Sequence, residues 1–74
     1  MNKYIIPICD IDRSKVWIMT VIAKTNSACQ EKIMANLIDM YDMEDKASNY
    51  REFVKLADSE YNILIGDIKD TEEL

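Results

Sequence analysis

The nine residues from Val16 to Lys24, VWIMTVIAK, constrain this chain more than any other stretch. Val16, Trp17, Ile18, Thr20, Val21 and Ile22 are β-branched or aromatic, so the run reads as a strand. Alternation sends Trp17, Met19, Val21 and Ala23 to one face and Val16, Ile18, Thr20 and Ile22 to the other. Both faces are largely apolar, the pattern of a central strand covered on two sides. A chain of 74 residues has little to cover it with. A domain this small buries only about 60% of the surface its unfolded form exposes.

The flanking segments supply the partners. Residues 3–9, KYIIPIC, form a β-rich run, and Pro7 inside it predicts an edge strand because proline cannot donate to a ladder. The polar stretch DIDRSK (10–15) between the two runs is a turn of hairpin length. A helix follows. Ser27 with Gln30 fits a capping box, and Asn26 competes as the cap. Cys29, Ile33, Leu37 and Met40 recur at helical spacing, with Met34, Ile38 and Tyr41 widening the stripe. The helix is expected to fray near Asp42. A second one starts near Ser48 or Asn49, where Glu52 can close a box on Asn49. Its stripe is Tyr50, Phe53, Val54 and Ala57. Alternation returns from Tyr61 to Ile65, and the acidic tail DIKDTEEL is expected to be loose over residues 69–74.

The predicted fold is therefore α+β, in two layers and one small domain spanning residues 1–74. A three-stranded antiparallel sheet carries two helices on one face, in the order β-β-α-α-β. Antiparallel helices would return the chain so that the third strand runs against the second, in a meander with the Val16–Lys24 strand in the middle. Helices cover only one face, so Ile5, Val16, Ile18, Ile22 and Leu64 are left on the other, an apolar patch that calls for a second copy or another protein. A homodimer through this face is the expected form of self-association.

Charge and composition exclude more than they assign. Nine basic residues against 14 acidic give a net charge of −5, which disfavours direct binding to nucleic acid or an anionic membrane. No run approaches the ~20 apolar residues of a membrane span. No segment has the form of a signal peptide, and the chain, starting at Met1 without a tag, reads as a complete small open reading frame in the cytoplasm. Cys9 and Cys29 lack metal-binding or redox spacing and are expected to be buried thiols. Without histidine there is no Ser-His-Asp or Cys-His catalysis and no imidazole zinc site. A single glycine cannot build a phosphate-cradling loop. Asp10 and Asp12 form a DxD pair, but Lys15 and Val21 stand where a calcium loop needs Gly and Glu, so a solvated turn is expected. No cofactor, metal or enzymatic activity is predicted.

The carboxylates carry the functional expectation. Asp39, Asp42, Glu44 and Asp45 form one cluster, and Asp67, Asp70, Glu72 and Glu73 another. The first 24 residues hold four basic and two acidic groups, whereas residues 25–74 hold five and twelve. Such a surface can dock on a basic groove of another protein in place of phosphates. The composition, with seven Lys to two Arg and eleven Ile, fits an AT-rich phage or plasmid gene. The sequence thus reads as a small acidic protein-binding inhibitor of a nucleic-acid-binding host protein, of the anti-defence or anti-CRISPR kind. The competing expectation is a homo-oligomeric structural or scaffold protein that associates through its apolar sheet face.

Overall fold

The computed structural model describes residues 1–44 and 47–73, the last two as backbone. Two long strands, β1 (Asn2–Asp10) and β2 (Lys15–Ala23), lead into helix α1 (Asn26–Tyr41) and helix α2 (Tyr50–Tyr61). Two short strands close the chain, β3 (Ile63–Ile65) and β4 (Lys69–Glu73). The fold is α+β, an open antiparallel sheet with both helices on one face, in the expected order β-β-α-α-β followed by a further strand. Lys69–Glu73, expected to be loose, instead pair with β1 as a fourth strand.

The strand order differs from the meander. β1 is the central strand, bonded to β2 on one side and to β3 and β4 on the other, and β2 is an edge. The cause is the path of the helices. α1 leaves β2 beside the Asn2 end of the sheet and finishes with Tyr41 against Asp10 at the other end. Beyond it, Ala47, Ser48 and Asn49 lie back beside α1, sharing a groove with Glu31, Met34 and Ala35. α2 starts near Cys29 and finishes beside the hairpin, where the N–H of Ile11 donates to the carbonyl of Asn62 at 3.0 Å. α2 thus starts at the same end of the sheet as α1, so the helices run the same way rather than antiparallel. β3 therefore starts at the hairpin end and runs with β2, so its antiparallel partner can only be β1.

Pro7 thus stands in the middle of the sheet, where an edge was expected. The missing donor falls where β1 has no continuous neighbour to bond. The carbonyl of Pro7 accepts from the N–H of Gly66 at 2.8 Å, which places the absent N–H on the β3 side. There β3 has ended at Ile65, and β4 resumes only at Lys69. Gly66 makes this close approach possible. A Cβ on it would overlap the Pro7 ring Cγ and lie 3.2 Å from the Pro7 carbonyl oxygen.

The core is built on one face of β1. Tyr4, Ile6 and Ile8 alternate inward and meet Met19, Val21 and Ala23 of β2, the inner face predicted for that strand. Cys29, Ile33 and Leu37 of α1, Phe53 and Ala57 of α2, Met43 and Ile63 complete the cluster. The α1 cap is Thr25, not Ser27 or Asn26: its hydroxyl accepts from the N–H of Ala28 at 3.1 Å. Asn49 caps α2 as expected, accepting from the N–H of Glu52 at 2.9 Å. Asp42 and Asn62 take the left-handed conformation that ends each helix, the role glycine usually has.

Gly66→Ala should lower stability by about 1–3 kcal/mol in urea denaturation, as overpacking does. In a Pro7→Ala background the same substitution should cost at least ~0.5 kcal/mol less, because the obstructing ring is gone. Equal costs in both backgrounds would show that the ring is not what Gly66 accommodates.

Candidate functional site

The two acidic clusters lie apart. Asp39, Asp42 and Glu44 are exposed on the last turn of α1 and just beyond it. Asp45 lies outside the described residues. Asp67 is exposed between β3 and β4, Asp70 is exposed opposite Tyr4, and Glu72 and Glu73 belong to β4 opposite Lys3 and Asn2. Tyr41, next to Asp42, faces Asp10, so the two groups mark opposite ends of β1. Six residues of strand, about 20 Å, separate Tyr4 from Asp10. They do not form one continuous acidic surface.

The residues named for the uncovered face come together. In the register Cys9 lies between Val16 and Leu64, Pro7 opposite Ile18, and Ile5 opposite Thr20. Val16 is 72% exposed and Ile18 55%, and Ile22 and Leu64 are also exposed. Ile5 is half-buried. The result is an apolar, largely β-branched surface, and neither helix covers it. Cys9 sits half-buried on this face and Cys29 is buried in the core on the other, so only Cys29 meets the expectation of a buried thiol. Burial pushes the Cys29 thiol up, opposed in part by Lys32.

A third place was missed in the sequence. Asp10, read there as part of a solvated turn, is 2% exposed. Its Oδ1 accepts from the N–H of Arg13 at 3.2 Å, and its Oδ2 meets the Arg13 guanidinium at 3.3 Å. The Tyr41 hydroxyl also faces it, and the indole of Trp17 faces Tyr41 in turn. The Arg13 guanidinium lies 5.2 Å from the centre of the Tyr41 ring. Burial raises the Asp10 pKa, but the Arg13 N–H, the Tyr41 hydroxyl and the Arg13 charge together outweigh it and leave the carboxyl below its ordinary range. Burial and the facing Asp10 push the Tyr41 phenol up. Asp12 is occupied separately, accepting from Asn62 Nδ2 at 3.0 Å. Alternation carried the missed signal, since Tyr4, Ile6, Ile8 and Asp10 share one face of β1.

Asp10, Arg13, Lys15, Trp17, Met40 and Tyr41 line an open groove of about 450 Å³ between the hairpin and the end of α1. Among the described residues, no three Cys, Asp or Glu side chains are grouped to hold a metal ion. No helix among them is long and apolar enough to cross a membrane. Compared with known proteins, the chain matches no family model, no curated protein and no solved structure.

Two measurements check this local chemistry. A carboxylate held below its ordinary pKa adds stability above that value and loses it as pH falls toward the folded-state pKa. Stability should therefore drop on acidification below about 3.8, and Asp10→Asn should flatten that part of the profile. Equal acid slopes in both proteins would show that ionised Asp10 is not favoured by the fold. Tyr50 is the second case. Its hydroxyl is buried with no hydrogen-bond partner among the described residues. Burial, with smaller effects of Cys29 and Asp67, pushes it up to about 12. Tyr50→Phe removes an unmatched polar group and should raise stability by up to about 1 kcal/mol in urea denaturation. A comparable loss would reveal a partner for that hydroxyl.

Proposed function

We propose that this chain is a non-enzymatic protein-binding module that works in pairs, two copies closing their helix-free sheet faces on each other. The observation that supports it is the contiguous helix-free face of Pro7, Val16, Ile18, Ile22 and Leu64, exposed, with Ile5 and Cys9 half-buried among them. The chain's accessible surface of 4900 Å² is ordinary, since about 4700 Å² is expected for a folded monomer of this mass. What is unusual is that so much of its apolar part lies on one face. None of the grooves described on the chain is lined by these side chains. A sheet face of this kind suits another sheet, and sheets stack face to face about 10 Å apart.

Size sets the strength. Three strands about 4.8 Å apart and some 25–30 Å long offer on the order of 400 Å², half of the ~800 Å² each partner buries in a standard stable interface. The pair should therefore be reversible. Sedimentation should show a monomer–dimer equilibrium in the micromolar to millimolar range, and Ile18→Asp should move it fully to monomer with the fold intact. A monomer at every concentration would end this reading.

One observation favours a second reading, the acidic inhibitor. α1 ends with Asp39, Asp42 and Glu44 and has no basic residue in its last turn. Carboxylates there oppose the helix dipole, so their presence is a local cost that a docking role would explain. In that role the chain, phage- or plasmid-encoded, would cover the basic groove of a nucleic-acid-binding protein. Asp39→Lys with Asp42→Lys should then abolish inhibition, which should itself weaken steeply with salt. Salt-independent inhibition would exclude it.

A further inference from the structure

We propose that the free edge of β2, with the flank of α1 beside it, takes up an extended acidic segment of a partner protein as an added strand. This rests on different atoms from the sheet-face pairing and stands if that pairing fails.

The edge is open for a stated reason. Odd-numbered residues of β1 turn their backbone groups toward β3, as the Pro7–Gly66 and Ile11–Asn62 bonds establish. Its even-numbered residues therefore bond β2, in the pairs Ile6 with Met19 and Ile8 with Trp17. Even-numbered residues of β2 must then point away from the sheet. Lys32 confirms the direction, since its Nζ donates to the outward carbonyl of Ile22 at 2.5 Å. That contact closes one end. Val16, Ile18 and Thr20 present their N–H and C=O groups along the rest of the edge, with no strand beside them among the described residues. Edge strands are commonly blunted by proline, a bulge or charge along their length. Between Val16 and Thr20, β2 has none of these.

The edge also has a wall. Trp17 is half-buried on the helical side, and with Met40 and Tyr41 it lines the groove described above. An added strand would set alternate side chains against this indole and thioether, and the others beside Val16 and Ile18 on the open face. Backbone bonds provide affinity in such an arrangement, and alternate side chains provide selectivity.

Charge decides the occupant. In a chain of net charge −5, Arg13 is paired with Asp10 and Asp12 with Asn62 at the hairpin, so Lys15, Lys24 and Lys32 are the charges along the β2 edge, with Glu31 as the one carboxylate between Lys15 and Asn36. Glu31 lines a different groove, with Met34, Ala35 and Ile38 on the α2 side. Asp39 is the next carboxylate, on the last turn of α1. Lys15 and Lys24 therefore flank the edge at its two ends. A second copy paired through β2 would bring the same lysines face to face, whereas an acidic strand is drawn in.

The test uses the full chain and two end-blocked seven-residue peptides, one of alternating valine and glutamate and one of alternating valine and lysine. At about 1 mM, the weak limit of specific recognition, the glutamate peptide should shift the amide resonances of Val16, Ile18 and Thr20, slow their hydrogen exchange and change Trp17 emission. The lysine peptide should bind at least tenfold more weakly. Ile18→Pro removes an outward N–H that no ladder uses, so it should stay folded by circular dichroism and lose the peptide. Should that variant not fold, Lys15→Glu with Lys24→Glu must reverse the preference toward the lysine peptide. The proposal is overturned if the three amides do not respond, if both peptides bind equally, if the charge-reversed variant keeps its preference, or if the same amides become protected by dimerisation alone.

Discussion

Everything in this molecule is referred to β1. Among the described residues it is the only strand bonded on both sides, and all three others take their register from it. Its inward residues supply Tyr4, Ile6 and Ile8 to the core and Asp10 to the polar cluster at its end. A central strand containing proline is tolerable only if the neighbour on the donor side is interrupted at the same level. The break between β3 and β4, with Gly66 against the proline ring, is that interruption. The jog at Gly66–Ile68 and the proline are thus one feature distributed over two distant parts of the chain.

The sequence was most legible where periodicity speaks. Alternation in VWIMTVIA assigned each side chain of β2 to its observed face, and the stripes of α1 and α2 contain their buried residues. Asn49 announced its helix through the Asn-x-x-Glu pattern. Asp10 was legible by the same alternation, but the DxD spacing drew the reading toward solvent. Thr25 was passed over because Ser27 and Asn26 offered equally good capping chemistry nearby, and single-residue boundaries are not encoded strongly enough to separate them.

The strand order was not legible, for a physical reason. Two helices joined by a short turn reverse direction, whereas two joined by a longer extended link need not. Eight residues of extended chain can span about 27 Å, more than the roughly 18 Å length of α2. The sequence from Asp42 to Asn49 contains no residue that dictates either outcome. Once helix direction is mistaken, the third strand goes beside the wrong neighbour and Pro7 must be sent to an edge. The candidate surfaces fared differently. The uncovered face depended only on which elements exist, whereas the spacing of the two acidic groups depended on the three-dimensional path.

The shared direction of the helices has an electrical consequence. Antiparallel neighbours largely cancel their axial dipoles, but here the two add, so the hairpin end gathers the negative poles of both. Arg13 sits at that pole, against Tyr41 and Asp10, where a fixed cation offsets the summed field. The backbone therefore carries an axial polarity that is felt within about a turn of the helix ends. A charged group would feel it only on reaching the hairpin end, so it acts at contact and not at a distance.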